Sequence, residues 1–278
     1  MNIEETRKLL NDKFGNIEFI EESHQYFING DEYTPVSHVI SEYEPYVDWD
    51  KKAEIYAEKN NRKDSDVKRE WKLNNLKSTI SGTRTHEFGE SYTNLMCGHP
   101  ELICEANKPQ YIKEYNTLVS TYPKEDAIKK FYDEISKTLK PIGAEFKLST
   151  EHIGCKRKVC GTCDILFWDE KENGYVIGDW KTNKSLKNDF SRNKKVMMNE
   201  PFSSMYNEPL SHYVIQFNLY RRMLESVGIN ITGMKLIWLK DDGDYEVINI
   251  EKIPDEIIDR ILNNVKITFD DSIIDGLI

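Results

Sequence analysis

The chain has 278 residues, of which 38% are hydrophobic and 11% aromatic, enough to build a packed core in one large or two small domains. No run approaches the ~18 apolar residues of a membrane span, and five scattered cysteines suit a reducing compartment better than a disulfide framework. The formal charge of −10 argues against a polyanionic partner only if it is evenly spread, and it is not: residues 1–50 carry −9, 241–278 carry −8, and 51–240 carry +7.

In chain order, Met1-Asn-Ile-Glu-Glu has the features of neither a secretory nor a transit leader, so a cytoplasmic location is expected. Glu18 to Thr34 holds two short alternating runs joined by Asn29-Gly30, a hairpin signal. Thr34-Pro35 then opens a short helix through Val39 and Ile40, proline suiting a first helical position. Residues 48–78 are charged, with apolar side chains at Ile55, Val67, Trp71 and Leu76, and read as exposed helices. A helix is expected to start after Gly82, with His86 and Glu90 four apart on one face. Helices are expected over about 110–140, with Tyr111, Tyr115, Leu118, Ile128, Phe131, Ile135 and Leu139 as core. From Gly143 the order reads strand (144–148), strand (159–168), strand (175–182), helix (209–226), strand (234–240) and strand (245–250). An amphipathic helix with Ile257, Ile258, Ile261, Leu262 and Val265 closes the chain.

The chemistry concentrates in the central hairpin, whose turn passes through Glu172-Asn173-Gly174. Side chains alternate across a strand, so Asp179 and Lys181 share a face with Trp180 opposite, and pairing of the strands brings Asp164 beside Asp179. Close carboxylates repel unless a cation lies between them, whereas Mg²⁺ prefers such hard oxygens. Lysines and arginines flank the hairpin: Lys156-Arg157-Lys158 before it, and Lys184, Lys187, Arg192, Lys194 and Lys195 after it. Screening confines phosphate attraction to about 10 Å at ~0.1 M salt, so a basic cleft in an acidic protein still attracts a polyanion. His152, Cys155, Cys160 and Cys163 have the residue types of a zinc site. If Asp164 faces a metal, however, Cys163 faces the other way, as a small buried apolar residue.

Taken in order, Gly82-Thr-x-x-His86, Glu145, Gly161-x-x-Asp164, Asp179-x-Lys181 and Gln216-x-x-x-Tyr220 resemble the motif series of the RecB-like branch of the PD-(D/E)XK nuclease superfamily. The Asp-Trp-Lys-Thr run at 179–182 is similar to that of phage-encoded exonucleases and the mitochondrial genome maintenance exonuclease. The resemblance spans about residues 80–240. It implies an α/β fold with an αβββαβ restriction-endonuclease-like core and mixed central sheet. A single nuclease domain over 1–278 would carry an N-terminal hairpin and helices (1–80), the core (81–240) and a C-terminal strand and helix (241–278).

The activity implied is hydrolysis of DNA, single- or double-stranded, by a Mg²⁺-dependent exonuclease in which Mn²⁺ can substitute, acting in a host cytoplasm if the chain is phage-encoded. His86, Asp164, Asp179 and the Trp180 carbonyl would hold the metal. Lys181 would assist the water, Glu145 would be a further catalytic carboxylate, and Glu90 a looser candidate. Gln216, Tyr220, Lys184 and Arg84 would bind substrate. Some relatives hold an iron-sulfur cluster with three cysteines after the core; no cysteine follows Cys163 here, so no cluster is expected. Two other readings share the fold: an inactive DNA- or protein-binding module, and a restriction-type endonuclease.

Overall fold

The computed structural model describes residues 3–264, apart from 21, 22, 24 and 136, so Val265 of the expected terminal helix lies outside the described residues. A first helix not anticipated above, α1 (Ile3–Phe14), buries Thr6, Leu10 and Phe14 at four-residue spacing on one stripe. Strands β1 (Ile17–Ile20), β2 (Gln25–Ile28) and β3 (Asp31–Pro35) form an antiparallel meander. The β2–β3 turn places Asn29 at φ 53° and Gly30 at φ 84°, conformations these two residues tolerate. Pro35 keeps extended geometry as the last residue of β3, so α2 (Val36–Ser41) starts one position later than expected.

Two exposed helices follow, as the charge pattern suggests, but their extent differs. α3 (Trp49–Lys59) is capped by the Asp48 carboxylate, which accepts the Lys51 N–H at 2.9 Å. α4 (Asp64–Met96) then runs unbroken for 33 residues, so Gly82 lies inside a helix and does not begin one. One glycine costs a helix about 1 kcal/mol, too little to interrupt an element packed along its C-terminal half.

The expectation of helices across 110–140 needs correction. Tyr111–Ile112 (β4) and Thr117–Leu118 (β5) form a small hairpin, and Asn116 at φ 46° reverses the chain between them. Tyr115 is exposed and not core. The only α-helix in this stretch is α5 (Pro123–Ile135), burying Ile128, Phe131 and Tyr132; a single 3-10 turn (Lys113–Tyr115) lies in the hairpin, and Leu139 opens a strand. From there the elements are β6 (Leu139–Ser149), β7 (Val159–Asp169), β8 (Gly174–Lys181), α6 (Asp189–Lys194), α7 (Pro209–Ser226), β9 (Ile231–Leu239), β10 (Tyr245–Asn249) and α8 (Asp255–Leu262); they follow the expected order, except that β6 begins five residues early, β9 three, and the short α6 was not anticipated.

The protein is an α/β fold on a mixed central sheet of eight described strands. β7 is its axis. β6 pairs antiparallel along one edge, while the other edge is shared between β3, parallel at Val159–Cys160, and β8, antiparallel from Ile165. The α7 crossover then returns the chain as β9, parallel to β8. Residues 174–180 of β8 are all buried, as befits a strand covered on both faces. α1, α2, α7 and α8 cover one face through residues such as Leu10, Val39, Leu219 and Ile258; α4 and α5 cover the other through Phe88, Tyr92 and Phe131. Among the described residues no helix is long and apolar enough to cross a membrane.

Candidate metal centre

β7 and β8 part where the charged residues begin. Their ladder ends at Ile165 opposite Gly178, and β3 leaves the same edge of β7 at Cys160. Extending the register one step puts Asp164 opposite Asp179, at a fork between strands. There the Trp180 N–H donates to Asp164 Oδ2 at 3.1 Å. On the other edge of β7, Glu145 falls between the paired residues Ala144 and Phe146, level with Asp164. Its φ of 55° is left-handed, a conformation costing a non-glycine residue about 1–2 kcal/mol.

The third component comes from α4. Gly89 lets that helix sit against Trp180; a Cβ there would lie 2.5 Å from Trp180 Nε1. The close approach sets His86, one turn earlier, with Nδ1 3.0 Å from Asp164 Oδ2. Ligand atoms of His86, Glu145 and Asp164 all lie within 4.8 Å of one another. Among the described residues no other group of His, Cys, Asp or Glu converges in this way. The four residues at 152–163 do not converge in this structure: His152 Nε2 meets the Lys13 carbonyl at 3.0 Å, and Cys163 is buried in the core.

Asp179 stands beside this trio and not within it. Its Oδ2 receives Lys181 Nζ at 2.6 Å, while its Oδ1 is buried with no hydrogen-bond partner. Lys181 Nζ sits 4.5 Å above the Tyr213 ring, and the Tyr213 hydroxyl donates to Asn183 Oδ1 at 2.7 Å. The Trp180 backbone enters the site through its N–H to Asp164, while the indole packs between α4 and α5. Glu90, one turn beyond His86, accepts the Cys104 thiol at 3.1 Å.

The electrostatics follow from crowding four carboxylates with two cations out of water. Burial, then the Asp164 charge, pushes Asp179 up to about 8 despite Lys181. Burial, then Asp164 and Glu90, does the same to Glu145, also to about 8. Burial would raise Asp164 too, but His86 and Lys181 outweigh it and hold its carboxyl well below the usual range. Burial opposes the charge on His86 and Lys181, yet Asp164 raises the first and Asp179 the second above their ordinary values.

Gln216 Nε2 donates to the Tyr220 hydroxyl at 3.0 Å, and the Tyr220 ring fills the space left by Gly161, where a Cβ would lie 2.6 Å from Cε1. Lys184 is exposed and lines an open polar groove of about 920 Å³ that begins at Thr182, one residue past Lys181. Arg84 is not brought to the trio. Two positions from His86 it points elsewhere on the helix, donating to buried Glu125 at 3.0 Å and lying 3.5 Å over the Tyr122 ring. Sequence reasoning missed Tyr213 and Asn183. The signal for Tyr213 was present, since 213, 216 and 220 are spaced three and four apart on one face of α7.

Comparison with protein-family models gives no match, and comparison with curated proteins gives none either. Fold and site together define an α/β protein with a carboxylate-rich cluster, bearing one imidazole, at a fork in its mixed sheet.

Proposed function

We propose that the chain is a divalent-metal-dependent nuclease of PD-(D/E)XK type, in the RecB-like branch, and that it degrades DNA from its ends. The observation that carries this reading is the convergence of His86, Glu145 and Asp164, with the Asp179 carboxyl crowded against Asp164. Buried carboxyls crowded together either take up protons, as the raised Asp179 and Glu145 do, or call for a cation between them. The order α4–β6–β7–β8–α7–β9, with β4, β5 and α5 interposed after α4 and α6 before α7, also fits an αβββαβ core. The hard carboxylate oxygens suit Mg²⁺, and the one imidazole lets Mn²⁺ take its place.

His86, Glu145 and Asp164 would hold the ion, with Asp179 adjacent. When bound, such an ion lowers the pKa of a water and offsets phosphate charge. Lys181 has its own part. Two carboxylates keep it protonated, so it does not accept a proton; it orients the attacking water and offers fixed positive charge to a phosphate oxygen. Asp179 and the Tyr213 ring hold that ammonium in place, and the Gln216–Tyr220 pair braces the strand below.

The test is an assay on end-labelled linear and on circular DNA, with Mg²⁺, Mn²⁺ or chelator. Wild type should release mononucleotides and short oligomers from ends and stop on chelation. Asp164→Asn and Lys181→Ala should each lose roughly a thousandfold or more in rate while remaining folded. Wild-type rates in either variant would refute the assignment. Discrete fragments from circles indicate an endonuclease, and a stable complex without cleavage a binding module.

A further inference from the structure

One stripe of α4 joins the metal cluster to a second feature. Trp71, Asn75, Ser78, Gly82 and His86 are spaced four, three, four and four apart and lie along one side of the helix. Trp71, Asn75 and Ser78 line the groove that begins at Thr182 and Asn183, with Lys77 and Lys184 at its walls. At Gly82 the helix passes close to the strand end; a Cβ there would lie 3.6 Å from Thr182 Oγ1.

At the far end of the groove is an aromatic cluster of which only Trp71 packs on buried side chains. The Trp71 ring lies 6.3 Å from Trp49 and 5.9 Å from Tyr56. Lys52 Nζ stands 4.8 Å over Trp49 and 5.3 Å over Phe190. Trp49 is 64% exposed and Phe190 55% exposed. Beneath them only Ala53, Ala57 and Val67 are buried between α3 and α4. Clustered exposed rings on a soluble surface mark an interaction site. Rings interleaved with lysines provide what unpaired nucleotides need, a face for each base and a cation for each phosphate. A duplex keeps its base faces stacked inside and gains nothing from them.

We propose that Trp49, Trp71, Tyr56 and Phe190 form a stacking platform for single-stranded nucleic acid, whose backbone follows the groove toward His86. This rests on the nuclease reading and adds the substrate class: a strand must be unpaired to occupy the platform. Fifteen residues of helix separate Trp71 from His86, about 22 Å, which about six stacked nucleotides at ~3.4 Å each would span.

The probes are oligothymidylate and oligouridylate of about 20 nucleotides, a four-nucleotide oligothymidylate and a duplex of about 20 base pairs, each added in chelator while tryptophan emission and binding are followed. At least one long single strand should quench the emission, and it should bind roughly tenfold or more tighter than the four-nucleotide probe. Which of the two quenches tells DNA from RNA. Trp49→Ala and Trp71→Ala should each weaken that binding roughly tenfold, Trp71→Phe should restore most of it, and duplex binding should not change. The platform is overturned if neither single strand quenches, or if folded Trp49→Ala and Trp71→Phe/Trp49→Ala proteins bind single strands like wild type. Tryptophan-dependent binding without any cleavage in Mg²⁺ would keep the platform and remove the nuclease reading. Cleavage of single strands and duplex at equal rates in wild type and Trp49→Ala would do the reverse.

Discussion

At Glu145 local preference and site geometry pull in opposite directions. A glutamate at φ 55° is strained, and its carboxyl is pushed to about 8 by burial and by its neighbours Asp164 and Glu90. Neither effect stabilises the metal-free fold. Glu145→Gly relieves about 1–2 kcal/mol of backbone strain and adds back about 0.5–1 kcal/mol of chain entropy. The metal-free variant should therefore be as stable as wild type or up to about 1.5 kcal/mol more stable in urea titration, while the rise in Tm on adding Mn²⁺ shrinks. A metal-free variant markedly less stable than wild type would assign the glutamate a structural duty instead. The candidacy of this residue was legible in sequence, but its backbone was not. Nothing in Gly143-Ala-Glu-Phe marks a left-handed residue; the neighbouring strands impose it.

Among the elements, α4 does most to assemble the site, because it carries both the His86 imidazole and the glycine on which Trp180 rests. Gly89 is the contact that sets the height of His86 above Asp164. Gly89→Ala improves helix propensity by about 1 kcal/mol, yet its methyl collides with an indole that is 1% exposed and cannot swing away. Overpacking of this kind costs about 1–3 kcal/mol, so a lower Tm and a weakened Mn²⁺-induced stabilisation are expected together. An unchanged Tm with full metal response would mean that the helix slides freely on the sheet. The helix was found from its charge and apolar spacing, but its continuity through Gly82 and the two short strands at 111–118 were not. Both depend on what the segment packs against. Lys124, for example, reaches across to the Thr182 carbonyl at 3.0 Å, a contact between residues far apart in sequence.

For the whole molecule the site is a source of instability, which under the proposed reading a cation would relieve. Asp179, Glu145 and His86 all have raised pKa values when folded, so between about pH 5 and 8 the folded chain holds protons that the unfolded chain has released. Stability is then greatest at the acidic end of that window and falls as pH rises through it. Asp164, with its depressed carboxyl, acts in the opposite sense but only below about pH 4; His212, whose pKa burial lowers, opposes the trend inside the window as one group against three. Thermal melts in chelator should show Tm declining from pH 5 to 8, and Mn²⁺ at about 100 times its Kd should add about 2.7 kcal/mol at the alkaline end. A chelator melt that rises across the same window would overturn this electrostatic account.

From its own residues the sequence determined the alternating strands 159–168 and 175–182, the helix at 209–226, the pairing of Asp164 with Asp179, and a basic middle between acidic ends. Those features are local, since period-two and period-3.6 patterns and turn chemistry act within a few residues. The tertiary structure alone decided that Glu145 joins His86 and Asp164, that Asp179 holds Lys181 beside them, that Arg84 turns away to Glu125, and that the tryptophans of α3 and α4 meet at the end of a groove. Each of these is a contact between distant elements, and such contacts arise only when the sheet's two layers of helices are packed in register.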